Sequence, residues 1–89
     1  MGSYSLRIKA STAKEFERIE PKKVRRQIVT RIRTLATNPR QLGCEKLASA
    51  GARYHVRQGA YRIVYEVRDE ELVVVLVKVG HRSNVYKNL

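Results

Sequence analysis

Leu72-Val73-Val74-Val75-Leu76-Val77 decides the reading of this chain. It is the longest apolar run and has the length of a strand, far short of the roughly 20 residues of a membrane span. Leu72, Val74 and Leu76 alternate to one face and Val73, Val75 and Val77 to the other. A strand apolar on both faces belongs inside a sheet, with a neighbour on each side. We therefore read residues 71–79 as a central strand. Upstream, residues 61–68 alternate as a second strand, joined to it by a turn at Asp69-Glu70. Residues 53–58 form another, joined by a tight turn at Gly59-Ala60. The remaining neighbour of the central strand is residues 5–9, Ser-Leu-Arg-Ile-Lys, which also alternate.

Between that first strand and the meander lie two helices. Thr12 and Glu15 have the spacing of a capping box at the start of the first, with Phe16 and Ile19 on its buried stripe. Pro21 suits the first turn of the second, where Val24, Ile28, Ile32, Leu35 and Ala36 recur on one face, and Asn38-Pro39 ends it. Residues 41–52 read as a loop. The tail, residues 80–89, is polar and fits a loop or a short helix. The expected fold is α+β: a helix hairpin on one face of a small, mainly antiparallel four-stranded sheet, in the order β-α-α-β-β-β. The 89 residues make one domain, with residues 1–3 reading as a cloning remnant.

Charge narrows the function. Nineteen Lys and Arg stand against eight Asp and Glu, a formal net charge of +11. Such a surface attracts polyphosphate, whose condensed counterions are released on binding. A membrane partner is not expected, because the chain has one Phe and no Trp to anchor an amphipathic helix. The single Cys44 excludes an internal disulfide and a cysteine zinc cluster, and a free thiol fits the cytoplasm. No signal peptide is expected.

The candidate site lies on the sheet face that the helices leave uncovered. Arg53, His55 and Arg57 share that face on one strand; Arg62, Val64, Glu66 and Arg68 share it on the next. Pairing across the tight turn brings Arg57 beside Arg62, and like charges side by side call for an anion. Gly80-His81-Arg82 and then Tyr86 add a further imidazole, guanidinium and phenol. Guanidinium groups match phosphate oxygens and the charge of a pentacoordinate transition state. Imidazole moves protons near neutral pH, and tyrosine stacks on an unpaired base. No carboxylate cluster suggests a magnesium site, so no metal or other cofactor is expected; a ribose 2′-hydroxyl can serve as nucleophile without one. The basic residues Lys22, Lys23, Arg25 and Arg26 on the second helix read either as its wet face or as contacts to RNA backbone.

From Tyr54-His55-Val56-Arg57 through Gly59-Ala60-Tyr61-Arg62-Ile63-Val64-Tyr65-Glu66-Val67, then at Val77-Lys78-Val79-Gly80-His81-Arg82 and Val85-Tyr86, the chain resembles the RelE branch of the RelE/ParE toxin superfamily. The Tyr-Arg-Ile-Val-Tyr strand is shared across that superfamily; the Gly-His-Arg and Val-Tyr ending is closer to the RNA-cleaving branch. The resemblance implies a ribosome-dependent endoribonuclease that cuts messenger RNA in the decoding site, leaving a cyclic or 3′-phosphate and a 5′-hydroxyl. It implies contact with messenger and ribosomal RNA of the 70S ribosome, and an acidic RelB-like antitoxin as partner. By the same resemblance Arg62 holds the scissile phosphate, Arg82 stabilises the transition state or leaving group, and Tyr86 stacks on the substrate base. Arg57 matches a basic position, and His55 stands where well-known members carry lysine. His81 is then the candidate for proton transfer, and Glu45 matches an acidic position of one subgroup. Two other readings fit the sequence: a ParE-like toxin that acts on DNA gyrase without cutting RNA, and a non-catalytic RNA-binding module on the same fold.

Overall fold

The computed structural model describes residues 3–41, 43–47 and 52–81. Its elements are β1 (Ser5–Ile8), α1 (Ala10–Glu17), α2 (Lys22–Thr37), β2 (Cys44–Lys46), β3 (Arg53–Gln58), β4 (Tyr61–Arg68) and β5 (Val73–His81). The strands form one sheet in the order β1-β5-β4-β3-β2. β5 lies inside it, as its two-sided apolar pattern requires: β1 runs parallel on one side and β4 antiparallel on the other. The sheet is therefore mixed, and it has five strands.

The extra strand is β2, inside the stretch read as a loop. Only three residues pair, Cys44 opposite Val56, Glu45 opposite His55 and Lys46 opposite Tyr54. So short a segment has no periodicity of its own; tertiary pairing with β3 creates it. The turn before β5 is also longer than expected. Leu72 donates its N–H to the Asp69 carbonyl, sits at φ 53°, and is half-exposed rather than part of the strand.

One face of the sheet carries the core. Ile28, Ile32 and Leu35 of α2, with Ile19 between the helices, pack on Val56, Ile63, Tyr65, Val67, Val74, Leu76 and Val79. Tyr65 is fully buried, stacks on Tyr54 with ring centres 5.9 Å apart, and donates its hydroxyl to the Pro39 carbonyl at 2.6 Å. At one end of the sheet, Arg40 grips Asp69 through two hydrogen bonds of 3.1 and 2.7 Å. Tyr4 donates to the same carboxylate, and Arg40 also bonds the Tyr54 hydroxyl.

The capping-box reading of α1 gives way to a different use of the same residues. The N-cap position is Lys9, and no side chain caps the helix. Thr12, fully buried, donates its hydroxyl to the Val77 carbonyl at 2.7 Å. Glu15 accepts the Val79 N–H at 3.1 Å and pairs with Lys78 at 2.6 Å. Residues three apart share a helix face, but here that face lies along β5 where β1 has ended, and it satisfies the backbone of the strand instead of the helix.

Candidate functional site

β4 and β5 do not pair evenly. Val64 faces Lys78 but Tyr65 faces Leu76, leaving Val77 as an extra residue, a β-bulge. Before it, Val74 and Leu76 point to the core and Val73 and Val75 away. After it the alternation is inverted. Val79 joins the core, while Lys78 and Gly80 fall in register with Val64 and Arg62, the Lys78 ammonium reaching Glu15 of α1. Straight alternation from Val73 and Val75 would carry His81 onto the open face. The bulge instead pairs it with Tyr61, edge-on at 5.9 Å between ring centres, on the helix side. There it borders a cleft of about 270 Å³ lined also by Glu15, Arg18 and Lys78.

The open face is organised in rows across the strands. Arg57 pairs with Arg62, which pairs with Gly80; His55 pairs with Val64, which pairs with Lys78; Arg53 pairs with Glu66, then Val75 and Arg7. The expected adjacency of Arg57 and Arg62 is thus present, and Arg53 and His55 share their face. Gly59, at φ 61° in the turn between β3 and β4, adopts the left-handed conformation that brings the arginines opposite each other, and its carbonyl accepts a hydrogen bond from Arg57 Nε at 3.2 Å.

His55 is the unusual group. It is only 7% exposed although it lies on the face opposite the helices. Its Nε2 lies 3.9 Å from a carboxylate oxygen of the exposed Glu45, and its Nδ1 is buried with no hydrogen-bond partner among the described residues. Burial pushes its pKa below the usual imidazole value; Glu45 opposes that shift and the Arg62 charge reinforces it. An imidazole so placed is neutral at pH 7 and can accept a proton. Glu45, reached in the sequence only through family resemblance, is brought to it by the β2–β3 register.

Other candidates lie elsewhere. Lys22, Lys23, Arg25 and Arg26 open α2, in the helix layer on the opposite side of the sheet. Arg82, Tyr86 and the suggested C-terminal helix lie outside the described residues. Among the described residues no three His, Cys, Asp or Glu side chains converge as metal ligands, and no helix is long and apolar enough to cross a membrane. Arg7 and Lys9 are further basic residues of this site. Only the parallel pairing of β1 with β5 brings them beside the open face, and alternation within β1 carries no sign of its neighbour.

The family model for the ParE toxin of the type II toxin–antitoxin system parDE matches residues 5–86. The chain belongs to this toxin family. The toxin RelG of Mycobacterium tuberculosis is 23% identical to it over 84 residues, 94% of this chain and 97% of RelG. A putative RelE-like toxin of Escherichia coli is 29% identical over 87 residues, 93% of this chain and 90% of the relative. In the solved E. coli RelBE toxin–antitoxin complex, the matching chain superposes with a TM-score of 0.78 at 28% identity, covering 89% of this toxin and 96% of that chain. The helix pair on a five-stranded mixed sheet is thus the fold of RelE-like toxins.

Proposed function

We propose that this toxin is a metal-free endoribonuclease that cleaves messenger RNA in the decoding site of the ribosome. The observation that carries the reading is the Arg57–Arg62 pair with a buried, neutral imidazole one row away on the same face. Adjacent guanidinium groups favour an anion beside them, and a phosphodiester matches their geometry. His55 takes the proton of the ribose 2′-hydroxyl. The 2′-oxygen attacks phosphorus, and Arg62, with Arg57, stabilises the negative charge that builds on the phosphoryl oxygens. The bond to the 5′-oxygen breaks, leaving a 2′,3′-cyclic phosphate and, once that oxygen is protonated, a 5′-hydroxyl. Glu45 stabilises the imidazolium formed in the first step. Arg82 and Tyr86 take the roles that the family resemblance gives them, at the leaving group and against the base. His81 competes with His55 for the proton-transfer role, and the face it occupies favours His55.

The partner in this reading is an acidic RelB-like antitoxin. The E. coli relative is solved in complex with RelB, and a net charge of +11 complements an acidic segment.

The test is single-turnover cleavage on programmed ribosomes. The wild-type rate rises with pH through the depressed His55 pKa and then levels off. His55→Gln removes that dependence and His81→Ala leaves it. The opposite assignment of the two variants transfers the base role to His81, and absence of any cleavage by wild type overturns the reading. A second reading is favoured by the ParE description of the matching family model: a toxin that acts on DNA gyrase. Inhibition of gyrase supercoiling, with messenger RNA left intact on ribosomes, selects it.

A further inference from the structure

We propose that the open face carries a second nucleotide subsite, at its β1 end, which binds a nucleotide two positions along the substrate strand from the scissile phosphate. The proposal rests on the ribonuclease reading and extends that site along the sheet. The row Arg53–Glu66–Val75–Arg7 crosses four strands and floors a cleft of about 330 Å³. Val75 and Val77, both half-buried, provide an apolar floor, and Lys9 and Arg68 complete the rim. A merely solvated basic face has no reason to hold apolar surface at its centre. An unpaired base covers such a floor, while its phosphate takes the surrounding cations.

The charges select this occupant. Arg7, Lys9, Arg53 and Arg68 surround one carboxylate, Glu66. Arg68 Nε holds one of its oxygens at 2.8 Å, and Arg53 lies 4.0 Å from the other. Arg7 and Lys9 form no ion pair among the described residues, so the cleft keeps an excess of positive charge on the β1 side. Its distance from the reactive row is right for one strand to serve both. Arg53 and His55 are two residues apart on β3, about 7 Å, and Arg57 is two further. A short extended RNA laid across these rows places one phosphate at Arg57 and Arg62 and, about 14 Å away, the nucleotide two positions along over Val75.

The double variant Arg7→Glu/Lys9→Glu tests this, since both residues are exposed and neither packs in the core. Lys14→Glu/Arg33→Glu, in the helix layer, is the control for an equal change of net charge. Binding of non-cleavable 2′-O-methyl RNA of two and of five nucleotides is measured by fluorescence anisotropy across a salt series. Wild type should bind the five-mer at least tenfold more tightly than the dinucleotide. Arg7→Glu/Lys9→Glu should lose that advantage, with a shallower salt slope for the five-mer, each lost phosphate contact removing about 0.7 from it. The control should keep the advantage. If the length advantage survives in Arg7→Glu/Lys9→Glu, the subsite is disproved; a loss of ribosome affinity alone would assign the patch to ribosomal RNA, and a loss of antitoxin affinity alone to the antitoxin. If wild type binds the dinucleotide but gains nothing from length, only the subsite falls. If wild type binds neither and cuts nothing on ribosomes, the ribonuclease reading falls with it.

Discussion

The two faces of the β3–β4–β5 meander are made from alternate residues of the same strands, and they do opposite work. On one, Val56, Ile63, Tyr65 and Val67 are sealed beneath α2. On the other, Arg57, Arg62, His55 and Arg53 stand in register with nothing from the helix layer over them. Even there the surface is not uniformly wet, since Val64 is fully buried between His55 and Lys78 in its row. Stability is thus concentrated on one side of a sheet one residue thick. The other side places Arg57 and Arg62 opposite each other, the arrangement on which the proposed phosphate site rests.

Substitutions on the two faces should separate these roles. Ile63→Ala, on the sealed face, should cost about 2–5 kcal/mol in urea denaturation. Its neighbour Arg62→Ala should move the urea midpoint little while cutting ribosome-dependent cleavage by more than tenfold, about 1.4 kcal/mol of barrier. Equal effects of both variants on stability would break the division. Tyr65→Phe leaves the buried Pro39 carbonyl without its donor, and should cost about 1–3 kcal/mol with the cleavage chemistry unaffected.

pH sharpens the comparison. His55 has a lower pKa folded than unfolded, so the unfolded chain takes up the proton first. Its contribution to stability is complete above about 6.5 and is lost as pH falls from there through the folded value. His55→Gln should flatten that limb of a melting-temperature profile, and an unchanged limb would place the titration elsewhere. The smallest effect should come from the far end of the sheet. Arg40 and Tyr4 hold the Asp69 carboxyl down to about 2 from an ordinary 3.8. The stability it gives is present above 3.8 and lost as pH falls to about 2. Because the pair is exposed, Asp69→Asn should shift the acid limb only slightly.

The meander, the helix hairpin and the place of β1 were legible because each rests on alternation or helical spacing over several residues. Arg57 and Arg62 were legible because a tight turn fixes their register. The position of His81 was not, since one extra residue at Val77 inverts every later side chain and no residue type announces a bulge in a run of valines. β2 was hidden because three residues carry no period. The partnership of His55 with Glu45 was hidden with it, because only strand pairing makes them neighbours. Thr12 and Glu15 showed their spacing but not their client.

That client bears on how the toxin keeps apart from its own copies. β5 is valine or leucine at six of its nine positions, and past Leu76 no strand pairs with its β1 side among the described residues. Open backbone beside such a run is a template for another molecule's strand, and so for aggregation. Thr12 and Glu15 occupy the Val77 carbonyl and the Val79 N–H there, so α1 closes the gap without being a strand. The edges that remain, β1 and β2, carry Arg7, Glu45 and Lys46, and a stacked copy would set Arg7 against another cation or Glu45 against another carboxylate. In a sheet this rich in valine, a helix thus guards the most adhesive strand.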